Sequence, residues 1–178
     1  LIPAIQEVVN TLKTPAAIHL DHGAGMPEVI RAIHSGATSV MIDASTRPFE
    51  ENVAITKSIV NIASQAGVSV ESELGHVGSA ANGDEAGAYT EVAAAVEFVQ
   101  ETGVDALAVM VGTAHGKYKK SPVLAVDRIA ELHQATSAHL VLHGGSGVPD
   151  EQLQAAVKAG IRKVNYATDV CIEFIEGC

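Results

Sequence analysis

Short apolar runs alternate with helical stretches along the whole chain, and the links between successive runs are too long for hairpins. The runs are Ala16–Asp21, Ser39–Asp43, Val68–Glu73, Ala106–Val111, His139–Leu142 and Lys163–Tyr166. The helices read Pro27–His34, Pro48–Ala66, Glu91–Thr102, Val123–Ala135 and Pro149–Ala159, with a helical start after Tyr166. Gly36, Gly67, Gly103 and Gly160 follow four of these helices, and Pro48 sits near the first turn of the longest. Six β-α units of this kind predict a parallel sheet with right-handed crossovers. In Val68–Glu73 the valines alternate with Ser69, Glu71 and Glu73, which predicts one apolar and one polar face.

Two parallel architectures compete. An open doubly wound sheet gathers its chemistry at one switch point, whereas a (β/α)8 TIM barrel aims every strand end at one site. Polar residues end nearly every run here, so the barrel is the expectation. A complete barrel takes about 250 residues. With 178 residues, the chain reads as one partial TIM-barrel domain, residues 1–178, lacking about two N-terminal β-α units.

Composition removes several classes of function. The formal net charge is −10, and this acidic balance argues against a nucleic-acid surface, which needs clustered Lys and Arg. No apolar run is long enough to span a bilayer, and the first residues show no charged leader, so the expected location is the cytoplasm and no membrane partner is expected. Cys171 and Cys178 are too few and too close to the C-terminus to form a disulfide framework.

Three histidines stand where an apolar run gives way to glycine: His22 in His-Leu-Asp-His-Gly, His115 in Gly-Thr-Ala-His-Gly, and His143 in Leu-His-Gly-Gly-Ser-Gly. Neutral imidazole is a good zinc ligand, and three protein ligands leave a fourth position for substrate. Taken alone, His-Leu-Asp-His reads as a strand end whose Asp21 caps the next turn. Beside a metal, Asp21 is a candidate general acid or base. Asp43 and Glu73 end two adjacent runs and suit a second metal position, proton transfer, or orientation of a histidine. Gly144, Gly145, Ser146 and Gly147 form a turn able to aim N–H groups and a hydroxyl at a phosphate, with Thr168 or Asp169 as candidate N-cap of a helix beside it. Lys117 and Lys119 add positive charge, though Lys117 reads as a solvated surface residue. The long loop Gly75–Tyr89 carries Asp84 and Glu85 and is either a lid or a solvated connection.

Six motifs occur in one order: His-Leu-Asp-His-Gly, Val-Met-Ile-Asp-Ala-Ser, Glu-Ser-Glu-Leu-Gly, Gly-Thr-Ala-His-Gly-Lys-Tyr-Lys, Leu-His-Gly-Gly-Ser-Gly and Lys-Val-Asn-Tyr-Ala-Thr-Asp. Together they resemble the class II, zinc-dependent ketose-bisphosphate aldolases that cleave fructose or tagatose 1,6-bisphosphate. The resemblance implies a carbon–carbon lyase giving dihydroxyacetone phosphate and glyceraldehyde 3-phosphate. It implies zinc on His22, His115 and His143, with Asp43 and Glu73 near an alternative zinc position. Asp21 then handles the proton of the C4 hydroxyl, and a lid acid, Glu85 or Asp84, reprotonates the carbanion. Gly116, Gly144, Gly145 and Ser146 match a phosphate and monovalent-cation (Na+ or K+) region, with Lys119 beside them. Asn165, Ala167 and Thr168 match the dihydroxyacetone phosphate half. The intact enzymes are expected as homodimers or homotetramers. The loop departs from the commoner Gly-Gly-Glu-Glu-Asp type. The family's first two β-α units and C-terminal extension have no counterpart. Two other readings compete: a barrel hydrolase using zinc-bound hydroxide, and a truncated barrel that binds or assembles without catalysis.

Overall fold

A computed structural model describes residues 2–78 and 89–178. The chain divides into two compact units, Leu1–Glu73 with Gln100–Ala106, and Leu74–Val99 with Leu107–Cys178.

The first unit runs α1 (Ile2–Val9), β1 (His19–Gly23), α2 (Met26–His34), β2 (Ser39–Ile42), α3 (Phe49–Gln65) and β3 (Ser69–Leu74). The strands lie in chain order and pair in parallel, with Leu20 opposite Val40 and Val40 opposite Val70. Val40, Met41, Ile42 and Val70 from the strands meet Val29 of α2 and Ile59 of α3 in the core, all at most 1% exposed. The start and stop signals behave as their chemistry requires. Pro27 occupies the first turn of α2, Pro48 is the N-cap of α3, and Gly67 follows α3 at φ +66°. The short helix α1, which the sequence reading did not place, has Pro3 in its first turn and buries no residue.

The second unit carries most of α4 (Val92–Thr102) and of β4 (Ala106–Val109), then α5 (Val126–Ala135), β5 (His139–Leu142), α6 (Asp150–Ala159), β6 (Ile161–Val164) and α7 (Thr168–Glu176). Strands β4, β5 and β6 lie side by side in that order, and β5 and β6 are parallel. Leu107, Ala108, Val109, Leu140, Val141 and Leu142 are all fully buried. Both faces of these strands are covered, which is why their sequences run apolar without alternation.

The structure adds the setting of the β3 acids and corrects two starting points read from the sequence. The acids of β3 do not face water: Glu71 and Glu73 are 1% and 0% exposed. The polar half of the alternation is buried because polar partners come with it. His19 Nε2 lies 3.7 Å from Glu71 and its Nδ1 lies 2.9 Å from Ser39 Oγ, while Thr56 and Ser72 share a hydroxyl pair at 2.9 Å. Helix α5 begins at Val126, since Leu124 and Ala125 spend their N–H groups on Gln152 Oε1 and Val111 O. Strand β6 begins at Ile161, where pairing with Leu140 starts immediately after Gly160.

Candidate metal centre and phosphate turn

In the first unit the site begins with an irregularity in β1. Pairing with β2 slips between Leu20 and Gly23, and His22, which belongs to the strand rather than following it, has φ +49°. A positive φ is unusual for a residue with a Cβ and marks a position fixed by its surroundings. Gly23 is required next to it, because a Cβ there would lie 2.6 Å from Met41 O. The slip brings His22 Nδ1 to 2.8 Å from Asp43 Oδ2. Asp43 Oδ1 in turn accepts the N–H and hydroxyl of Ser45, at 3.1 and 2.8 Å.

The electrostatics follow from this geometry. The hydrogen bond to Asp43 raises the His22 pKa, helped by the charges of Asp21, Asp43 and Glu73 and opposed by burial. The same bond, with those from Ser45, holds Asp43 well below the usual carboxylate range despite its burial. Glu73 is buried at the end of β3, where its backbone carbonyl accepts the Asn52 amide at 2.9 Å. One ligand atom from each of His22, Asp43 and Glu73 lies within 4.8 Å of the others. One imidazole and two carboxylates are a donor set that zinc accepts. Asp43 on Nδ1 is also the arrangement that orients a zinc-binding imidazole through Nε2. Asp21 lies beside His22 and is exposed.

In the second unit His143 follows β5 and is fully buried, and His115 lies in the loop after β4. Their rings meet edge-on, with centroids 5.5 Å apart. His115 donates its backbone N–H to Gly78 O at 2.9 Å, and its Nδ1 lies 3.2 Å from Val77 O. As with His22, a bond at Nδ1 leaves Nε2 as the atom able to ligate.

The glycine turn after His143 is dictated by close approach. A Cβ on Gly144 would fall 2.3 Å from Ala114 O, and one on Gly145 would fall 2.6 Å from Val164. Gly145 N–H donates to Asn165 O at 3.0 Å, and Lys163 Nζ holds Asn165 Oδ1 at 2.6 Å. A cavity of about 310 Å³ lies beside the turn, lined among others by Gly116, Lys117, Lys119, Lys120, Ser146 and Gly147. The expected N-cap is corrected here. Ala167 is the N-cap of α7 without a side-chain bond, Thr168 is the first helical residue, and Asp169 is the second. Asp169 instead reaches back: its Oδ2 accepts Gly147 N–H at 2.9 Å, and its own N–H donates to Ser146 Oγ at 3.2 Å. A carboxylate therefore already occupies one donor of the glycine turn.

One residue escaped the sequence reading. The Tyr118 hydroxyl accepts Ala114 N–H and donates to Gly144 O, both at 2.8 Å. Burial raises its pKa. The signal was an aromatic residue with a polar tip three places after His115. Glu85 and Asp84, the candidate lid acids, lie outside the described residues.

A family model described as fructose-bisphosphate aldolase class-II matches residues 1–178. Among solved structures, the YdjI aldolase from Escherichia coli K12 is 36% identical, with a TM-score of 0.86 over 96% of this chain and 60% of that one. A putative fructose-1,6-biphosphate aldolase from Coccidioides immitis is 28% identical, with a TM-score of 0.84 over 92% of this chain and 60% of that one. The fructose-bisphosphate aldolase of Campylobacter jejuni is 26% identical, with a TM-score of 0.79 over 99% of this chain and 59% of that one. The chain thus spans about 60% of the length of the structures it matches.

Proposed function

The chain belongs to the class-II fructose-bisphosphate aldolase family, and from that premise we propose that it acts in zinc-dependent, reversible aldol cleavage of a ketose 1,6-bisphosphate. Fructose or tagatose bisphosphate would give dihydroxyacetone phosphate and glyceraldehyde 3-phosphate. In this reading residues 1–178 supply a catalytic domain of (β/α)8-barrel type, working in the cytoplasm as a homodimer or homotetramer. The observation that carries it is the His22–Asp43 pair at 2.8 Å beside Glu73, a histidine oriented as zinc ligands are.

His22, His115 and His143 would hold the zinc, with Asp43 and Glu73 as its alternative ligands. When bound, zinc supplies Lewis-acid polarisation of the substrate's ketone and hydroxyl oxygens, so no Schiff-base lysine is needed. The protein's residues do the rest. Asp21, exposed beside His22, takes the proton of the C4 hydroxyl as the C3–C4 bond breaks. Glu85 returns a proton to the carbon that keeps the electron pair. Gly116, Gly144, Gly145 and Ser146, with Lys119 in the adjoining cavity, hold the phosphate and a sodium or potassium ion. Asn165, steadied by Lys163, and Ala167 and Thr168 at the start of α7 orient the dihydroxyacetone phosphate half.

The test is cleavage of both bisphosphates by the zinc-loaded chain, followed by appearance of dihydroxyacetone phosphate. His115→Ala is expected to abolish zinc uptake by elemental analysis and to cut cleavage by more than about 100-fold, beyond the loss from an outer-shell change. Full zinc occupancy and full cleavage in that variant would refute the assignment.

A further inference from the structure

We infer that Tyr118 is a positioning residue that clamps the His115 segment to the His143 segment and so sets the spacing of the two imidazoles. The inference rests on the zinc reading above, and it concerns contacts inside the second unit alone. Ala114 immediately precedes His115 and Gly144 immediately follows His143. Neither belongs to a strand, so neither can spend its backbone group on a ladder. The Tyr118 hydroxyl serves both at once, accepting from Ala114 N–H and donating to Gly144 O at 2.8 Å each. A phenol suits this task because one oxygen accepts and donates at the end of a rigid ring. Phenylalanine would leave a donor and an acceptor without this bond in a largely buried place.

The two segments are in direct contact at this point. A Cβ on Gly144 would lie 2.3 Å from Ala114 O and 3.1 Å from the Tyr118 hydroxyl, and one on Gly147 would lie 3.3 Å from the tyrosine ring. The hydroxyl spans the junction, and the ring underlies the turn that follows His143. On its other side His115 is held by Val77 and Gly78. Tyr118 thus ties His115 to His143, whose ring centroid is 5.5 Å away.

The test loads the full chain with cobalt(II), whose visible absorption reports ligand geometry. Tyr118→Phe is expected to bind cobalt about 10-fold to 100-fold more weakly, the range for residues that orient ligands, and to change the shape of the absorption bands. Its urea midpoint, measured without metal, separates this from a general loss of stability. A variant with wild-type cobalt affinity and spectrum overturns the inference, whatever its midpoint. Wild-type chain that takes up no cobalt overturns the zinc reading instead, and the inference with it. If Tyr118→Phe does not fold, 3-fluorotyrosine in the wild-type sequence answers the same question. The chain has three tyrosines, so Tyr89→Phe and Tyr166→Phe assign the signals. Zinc is expected to shift the Tyr118 fluorine resonance, and an unmoved resonance overturns the inference.

Discussion

His22 carries two constraints at once, a positive φ and a hydrogen bond to Asp43, and each explains the other. The backbone takes an unfavourable conformation because the side chain gains a charged partner there. This pairing has a pH signature in the metal-free protein. The raised pKa of His22 means its contribution to stability is complete below its ordinary value of 6.5 and is lost as pH rises through the raised value. The lowered pKa of Asp43 means its contribution is present above its ordinary value of 3.8 and is lost as pH falls through the depressed one. The pair therefore stabilises the metal-free chain most between those two ordinary values. Zinc reverses the preference, because a ligating imidazole must lose its proton. Zinc affinity is expected to rise with pH through the raised range of His22, by up to about tenfold per unit for that proton. Asp43→Asn is expected to weaken zinc about 10-fold to 100-fold near neutral pH and to move the titration to lower pH. A competition titration against a chromophoric chelator from acid to alkaline pH measures both, and a flat profile would oppose this assignment.

At the level of elements, the start of α7 and the turn after β5 act as one device. The helix has no side-chain cap, and its second residue bonds the turn in both directions through Ser146 and Gly147. A phosphate arriving at Gly147 N–H meets a carboxylate already there. Asp169→Ala is expected to raise the affinity for inorganic phosphate by roughly fivefold, since one like charge at about 4 Å in water is worth about 1 kcal/mol. Isothermal titration with phosphate, repeated at high salt, checks this; equal affinity in both proteins would show that the two groups do not compete. The element reading of the sequence succeeded where a helix or strand is bounded by local chemistry, as with Pro27, Pro48, Gly67 and Gly160. It did not reach the surroundings of β3, where Glu71 meets His19, a residue 52 positions earlier whose proximity no local pattern encodes.

For the whole chain, a ligand that binds only the folded state adds stability as its concentration passes its dissociation constant. Zinc at about 100 times its dissociation constant is expected to add about 2.7 kcal/mol, seen as a rise in the thermal midpoint that a chelator reverses. An unchanged midpoint at saturating zinc would count against a folded metal site. Alternating runs and punctuating glycines and prolines determined the parallel α/β class, because strand and helix periodicity are local properties. Motif order determined the family, because residue types at fixed spacing are written in the chain. The tertiary structure alone decided which groups meet: His22 with Asp43, Asp169 with Gly147, and Tyr118 with Ala114 and Gly144. Most of these contacts join residues twenty or more positions apart. They arise from strand register and turn geometry, which depend on how the whole core packs and not on any stretch of sequence by itself.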